Sequence, residues 1–255
     1  MGQTDGAREL RRAHLGICGS ENAIIAMLPP DDRALLDEHA EHCTLARGDT
    51  LFGPGEAVEF TYFPDVGTVL ALCLLLEDGR TVEAATIGCE GMIGGVVSCG
   101  TQPAFASAIV QIAGTATRLP VRFVELLKDR STTARRLFDR YADFLLSQAL
   151  QSVGCNTFHP IDARLCRWLL TTQDRIGRSE IPLTQEALAQ MLGAQRTTIS
   201  AIGRYLQEQG LLRFRRGTVE IVDRKAVEAA ACECYETLER QRIATLGGMT
   251  SKDLK

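Results

Sequence analysis

Between Asp49 and Leu119 the apolar residues come in short runs separated by turn signals: Gly53-Pro54-Gly55, Pro64-Asp65-Val66-Gly67, Glu77-Asp78-Gly79-Arg80 and Gly94-Gly95. Asp78-Gly79 divides the run VLALCLLL from the alternating TVEAATI. An Asp-Gly pair between two such runs predicts a tight β-hairpin. Short strands repeating at about 8–12 residues predict a β-sandwich or barrel. A short helix, ALLDEHAEH, precedes them and is entered through Leu28-Pro29-Pro30-Asp31-Asp32.

From Ser131 the spacing changes to that of a helix. Ser131-Thr132-Thr133 can cap a helix running to Phe158, with no proline and one glycine, Gly154. Leu137, Phe138, Tyr141, Phe144, Leu145, Gln148 and Ser152 form a stripe at 3–4 spacing. Roughly 25 residues make a helix nearly 40 Å long. That exceeds what one small β-domain can cover, so part of the stripe is expected to pack on a second copy of the chain. The alternative is that the stripe only covers its own barrel. The helix stops at His159-Pro160, because proline disfavours helix at the residue before it. A further helix is expected over Ile161 to Ile176, around the single Trp168, followed by a loop at Gly177-Arg178-Ser179-Glu180.

Thr184 to Leu206 reads as a helix, a glycine turn and a second helix. Thr184 can cap the first helix; Leu188, Met191 and Leu192 form its buried face; Gly193 supplies the left-handed turn. In the second helix Ile199, Ile202 and Leu206 face inward. Gln195, Arg196, Thr197, Thr198, Ser200 and Arg204 are left outward or near the helix start. Polar and basic residues at that end suit a helix that meets base edges and phosphates in a major groove. Gly210 to Val222 then predicts a β-hairpin with Arg213, Arg215 and Arg216 near its turn, a wing positioned to touch phosphates. A solvated basic turn behind an ordinary αα-hairpin is the alternative.

Charge sharpens this division. The 255-residue chain has a formal net charge of −4. Residues 21–118 hold four Lys/Arg against fourteen Asp/Glu, and residues 160–224 hold ten Arg against seven Asp/Glu. Only the back half is suited to a polyanion. Hydrophobic residues at 45% and charged residues at 24% fit a globular chain and exclude general disorder. No apolar run approaches the roughly 20 residues that a bilayer requires. The start, MGQTDGAREL, lacks a signal-peptide pattern, so a cytoplasmic location is expected.

The order of barrel, long helix and winged helix, with the stretch LTQEALAQMLGAQRTTISAIGRYLQEQGLL, resembles the Crp/Fnr family of bacterial transcription regulators over about Leu28 to Asp223. The resemblance implies a sensing barrel, a dimerising helix and winged helices that bind a two-fold symmetric DNA site. It also implies that Arg196 reads a guanine. Thr197 and Ala201 stand where the family's best-known member has an acidic residue and an arginine, so the preferred half-site should differ. In cyclic-nucleotide members a Gly-Glu segment is followed by an Arg-Ser pair. Glu90-Gly91-Met92-Ile93-Gly94 resembles the first part in altered order, but no Lys or Arg occurs from Thr81 to Thr117. A buried cyclic phosphate needs a paired cation as well as amide donors. The usual cyclic-nucleotide pose is therefore not expected, and Glu90 reads equally well as a polar group at a barrel turn.

Nine cysteines (18, 43, 73, 89, 99, 155, 166, 232, 234) lack a repeating frame and are read mostly as small buried hydrophobes. The N-terminal cysteine cluster of oxygen-sensing relatives is absent. Cys232-Glu233-Cys234 does not have Cys-x-x-Cys spacing and shows no obvious partner ligand, and His159 is assigned an end-of-helix hydrogen bond. No metal site is predicted. Nucleotide-phosphate, nucleophile-elbow and His-pair metal motifs are missing, and residues 43–158 contain no histidine, which argues against an enzyme.

Together these features predict an α+β chain. An N-terminal double-stranded β-helix (jelly-roll) barrel spans 21–130, a dimerisation helix 131–159, a winged helix-turn-helix 160–230, and a C-terminal helix and tail 231–255. The DNA-binding residues are Thr184, Gln195, Arg196, Thr197, Thr198, Ser200, Arg204, Arg213, Arg215 and Arg216. An effector pocket is assigned to Glu90, Gly91, Met92, Gly94 and Ser107. The dimer helix uses Leu137, Phe138, Tyr141, Phe144, Leu145, Gln148 and Ser152. The expected partners are double-stranded DNA, a second copy of the chain and, for an activator, RNA polymerase, with no membrane. No cofactor is predicted and the effector is unknown. The alternatives are a cyclic-nucleotide-responsive regulator with an atypical cassette, a redox- or metal-responsive regulator using the cysteines, and a barrel that serves only as an interaction platform.

Overall fold

The computed structural model describes residues 21–95 and 103–246. Residues 247–255 of the expected C-terminal helix and tail lie outside the described residues, as do Cys18 and Cys99. Two short helices, α1 (Ala23–Met27) and α2 (Pro30–His39), lead into seven strands: β1 (Glu41–Leu45), β2 (Thr50–Phe52), β3 (Phe60–Pro64), β4 (Val69–Leu75), β5 (Thr81–Ile87), β6 (Ser107–Ile112) and β7 (Gly114–Pro120). These form two antiparallel sheets, ordered β1-β7-β3 and β2-β6-β4-β5. The β4–β5 hairpin turns at Asp78-Gly79. The helix expected through His42 ends at His39, because residues 41–45 find a full ladder along β7, and pairing with a neighbour overrides local preference.

Some elements have no counterpart in the sequence pattern, among them α1, the helix at Arg224–Ala230 and the helix that closes the β-domain. α3 (Val121–Arg130) closes the β-domain, burying Val124 and Leu127 on one side and placing Lys128 and Arg130 in its last turn, where cations favour the helix dipole. The long helix α4 (Thr132–Phe158) follows, and the Ser131 hydroxyl accepts from Ala134 N at 3.1 Å. α5 (Ile161–Ile176), β8 (Glu180–Ile181), α6 (Gln185–Leu192), α7 (Arg196–Glu208), β9 (Leu212–Arg215) and β10 (Thr218–Ile221) make the winged unit. α8 (Arg224–Ala230) and α9 (Cys234–Leu246) complete it. The loop expected at 177–180 contributes Glu180 to a third wing strand, β8, which pairs with β10.

The expected dimer stripe turns inward. Leu137, Phe138, Tyr141, Phe144 and Leu145 are buried in the main core with the β-domain, Gln148 is buried within the protomer as well, and Ser152 donates to Ala84 O at 3.0 Å. Those positions are thus occupied by their own chain. A different face of α4 is left open: Leu146, Leu150 and Val153 are 59%, 64% and 66% exposed.

The winged unit packs against the β-domain. Val69, Ala71 and Cys73 of β4 share a core with Leu165, Trp168 and Leu169 of α5, while Leu70 and Leu72 point into the β-domain. A strand covered on both faces needs no polar alternation, which accounts for the unbroken start of VLALCLLL. Glu83 and Arg175 anchor buried polar contacts at this junction. Glu83 accepts from Trp168 Nε1 at 2.9 Å and from Gln111 Nε2 and Thr86 Oγ1. Arg175 donates through Nε to Glu90 Oε1 at 2.8 Å and through Nη2 to Thr86 O at 3.2 Å.

Candidate nucleic-acid interface

The helix-turn-helix segment is built as the sequence predicts. Thr184 Oγ1 accepts from Ala187 N at 3.1 Å, starting α6. Gly193 ends that helix at φ 61°, in the left-handed region where a side chain is strained, and its N–H bonds Gln190 O at 3.2 Å. The chain re-enters helix at α7, with Gln195 as its first flanking residue. Ile199 and Leu206 are buried, and Ile202 packs against that core. Gln195, Arg196, Thr197 and Arg204 are exposed, while Thr198 and Ser200 are half-buried. The Ser200 hydroxyl donates to Gln185 Oε1 at 2.7 Å, fixing α7 against α6.

The wing lies beside this surface. β9 and β10 pair antiparallel from Thr218↔Arg215 to Ile221↔Leu212, turning at Arg216-Gly217. Arg213, Arg215 and Arg216 are exposed; Glu220 stands 3.1 Å from Arg213 Nη1 and 3.6 Å from Arg215 Nη2. A cleft of about 500 Å³ runs between helix and wing, lined by Thr184, Gln185, Glu186, Arg196, Arg215 and Arg216 among others. Glu186 sits 3.8 Å from Arg196 Nε, a loose exposed pair. Such a pair contributes little and yields easily to a phosphate or base edge.

The five residues assigned to an effector pocket are taken up by packing and pairing within the chain. Glu90 is engaged by Arg175 across the domain junction, and Met92 is fully buried. A Cβ on Gly91 would collide with the Tyr141 hydroxyl, so glycine there admits the long helix rather than a phosphate. Gly94 lies against the Phe60 carbonyl, and Ser107 is buried on β6 opposite Cys73. The Gly-Glu likeness is thus accounted for by packing: this segment is where β-domain, long helix and winged unit meet.

A second group comes together that the sequence reading leaves apart. Cys155, in the last turn of α4, and His159, its C-cap, meet Cys232 and Cys234 at the start of α9. Cys232 and Cys234 thus have neighbours that carry metal-ligating atoms. His159 Nδ1 lies 3.4 Å from Cys234 Sγ, and its Nε2 lies 3.0 Å from Glu233 Oε1. A hydrogen bond from Cys232 draws the Cys155 thiol well below its ordinary range, aided by the Arg167 charge and His159, with burial opposing; Cys232 is pushed up correspondingly. The signal available in the sequence is the i, i+4 pair Cys155-x-x-x-His159, which places both side chains on one helix face. Cys234 lies 75 residues beyond His159, and nothing local links the two pairs.

Residues 163–230 match the model of the Crp-like helix-turn-helix domain. No curated protein matches the chain. Among solved structures, FixK2 from Bradyrhizobium japonicum superposes with a TM-score of 0.65 at 18% identity, over 76% of this chain and 98% of that one. A CRP-family transcriptional regulator from Thermus thermophilus gives 0.62 at 19%, over 74% and 96%. CLP, the c-di-GMP responsive global regulator of Xanthomonas campestris, gives 0.61 at 15%, over 76% and 100%. At these identities the likeness is one of fold. No helix among the described residues is long and apolar enough to cross a membrane. Residues 163–230 are a Crp-like helix-turn-helix domain, carried on a chain with the fold of the Crp/Fnr transcription regulators.

Proposed function

We propose that this chain is a cytoplasmic homodimeric transcription regulator that reads a two-fold symmetric DNA site through α7 and steadies itself on phosphates through its wing. The observation that carries this is the cleft where exposed Arg196, at the N-terminal end of α7, faces Arg215 and Arg216 of the wing. Arg196 has the planar fork that grips guanine O6 and N7. Gln195, Thr197 and Thr198 flank it and tune the sequence, Ser200 and Thr184 brace the frame, and Arg204, Arg213, Arg215 and Arg216 supply phosphate contacts. Two recognition helices about one DNA turn apart, near 34 Å, would meet successive major grooves.

Dimerisation is assigned to the exposed face of α4 at Leu146, Leu150 and Val153, whose 4-then-3 spacing is that of a coiled-coil seam. Control acts through the junction around Glu90 and Arg175: any effector shifts DNA binding only by preferring one placement of the winged units over another. For an activator, RNA polymerase is the further partner. The test is a mobility-shift titration after the operator has been selected from random DNA. Arg196→Ala should weaken specific binding by about 1–3 kcal/mol and relax preference at one base pair per half-site. Unchanged specific binding would overturn the assignment.

A further inference from the structure

We propose that Cys155, His159, Cys232 and Cys234 form a tetrahedral site for a single zinc-class divalent cation, which clasps together the chain segments entering and leaving the DNA-binding domain. Cys155 Sγ lies 3.6 Å from Cys232 Sγ, Cys234 Sγ lies 3.4 Å from His159 Nδ1, and all four ligand atoms fall within 4.8 Å of one another. Zinc bonds of about 2.3 Å to sulfur and about 2.0 Å to nitrogen imply tetrahedral edges of about 3.8 Å between sulfurs and about 3.6 Å from sulfur to nitrogen. These two edges match that size. Spacing this close suits one ion and leaves no room for a polynuclear iron–sulfur cluster. Three thiolates and an imidazole select a soft or borderline cation over magnesium or calcium.

The surroundings are those of a ligand set rather than of packed thiols alone. With Nε2–H donated to Glu233, His159 presents its Nδ1 lone pair to the sulfurs, the carboxylate–histidine arrangement that orients metal ligands. Gln151 Nε2 donates to Cys234 Sγ at 3.0 Å, as amides do to thiolates. Three thiolates around a dication leave one negative charge. Arg164 and Arg167 of α5 are both buried and act on Cys155 electrostatically. Their Nε atoms have no hydrogen-bond partner among the described residues. A purely apolar cluster would not explain a histidine, a carboxylate and an amide arranged around three sulfurs.

The location gives the ion its effect. Cys155 and His159 end α4 just before the domain at 163–230, and Cys232 and Cys234 follow it directly. One bound ion would therefore fix the hinge at His159-Pro160 to the start of α9. This inference does not depend on the DNA-reading assignment, since metal uptake is measured without DNA.

The test uses the full chain, purified without oxygen, reduced and metal-stripped, then titrated with Co²⁺. We expect one equivalent per chain, with thiolate-to-cobalt charge-transfer absorption and the intense ligand-field bands of tetrahedral cobalt, both lost when Zn²⁺ is added. Cys234→Ser should abolish the tetrahedral spectrum, and Glu233→Gln should weaken cobalt binding about 10–100-fold. Cys166→Ser, away from the cluster, should bind as the wild type does. Wild-type protein that takes up no cobalt, or gives only the pale octahedral spectrum, would overturn the proposal, and this arm requires no variant to fold. A Cys155–Cys232 disulfide that resists reductant and excludes cobalt would overturn it equally. So would an unchanged spectrum in folded Cys155→Ser/Cys234→Ser protein.

Discussion

The long helix carries two apolar faces with opposite fates. Leu137, Phe138, Tyr141, Phe144 and Leu145 are almost fully buried against the β-domain, and the Tyr141 hydroxyl fits where Gly91 has no side chain. Leu146, Leu150 and Val153, on the other side of the same helix, remain well over half exposed. The buried face is larger and more aromatic, and it carries the greater transfer free energy, so the protomer claims it first. The leaner face is left open. Helical periodicity reveals an apolar stripe but not what covers it, and the strongest stripe on a helix that touches its own domain is the poorest guide to a dimer seam.

The largest effect should come from the inner face. Phe144→Ala removes a fully buried ring from the main core and should cost about 3–5 kcal/mol, read as a shift of the denaturation midpoint at unchanged slope. Close behind is the pair linking that core to the winged unit. Arg175→Ala would leave the Glu90 carboxylate buried without its cation and should destabilise by about 3–5 kcal/mol. Replacing both, as Glu90→Gln with Arg175→Met, should recover much of the loss. If Arg175→Ala alone were neutral, the junction would not hold the winged unit in place.

The outer face should behave in the opposite way. Leu150→Asp changes an exposed position and should alter stability by less than about 0.5 kcal/mol. It should nevertheless shift the protein toward monomer in sedimentation velocity and sharply reduce affinity for a two-fold site, since one half-site alone binds weakly. A variant that unfolds would show that this face is part of the protomer core. A stable dimer would move the seam elsewhere.

The same contrast explains what can be seen in the sequence. α6, the Gly193 turn, α7 and the wing are legible because each signal is local: a threonine cap, a left-handed glycine, inward residues at 3–4 spacing, and arginines at a hairpin turn. The outward residues of α7 stand in water, so their exposure follows from the periodicity alone. The pairing of Glu90 with Arg175 is not legible because the two lie 85 residues apart, and a glutamate beside a glycine looks the same whether it meets a ligand or another domain. Helix α3 is hidden by its length: ten residues between a strand and a longer helix give little periodicity to count. Cys155 and His159 share a helix face within one turn, but their role depends on Cys232 and Cys234, which only the fold brings near.

The smallest effect tests the wing against the recognition helix. Arg216 sits at the hairpin turn, exposed and remote from the buried face of α7. If it contacts a phosphate, Arg216→Ala should weaken specific and non-specific DNA alike. The slope of log affinity against log salt should then fall by about 0.9 per protomer, because one fewer counterion is released. Base preference should not change, in contrast to Arg196→Ala. The two substitutions remove the same charge within one cleft, so the difference between them isolates reading from holding. Equal loss of sequence preference in both would place the wing in a groove rather than on the backbone, and an unchanged salt slope for Arg216→Ala would take it off the DNA altogether.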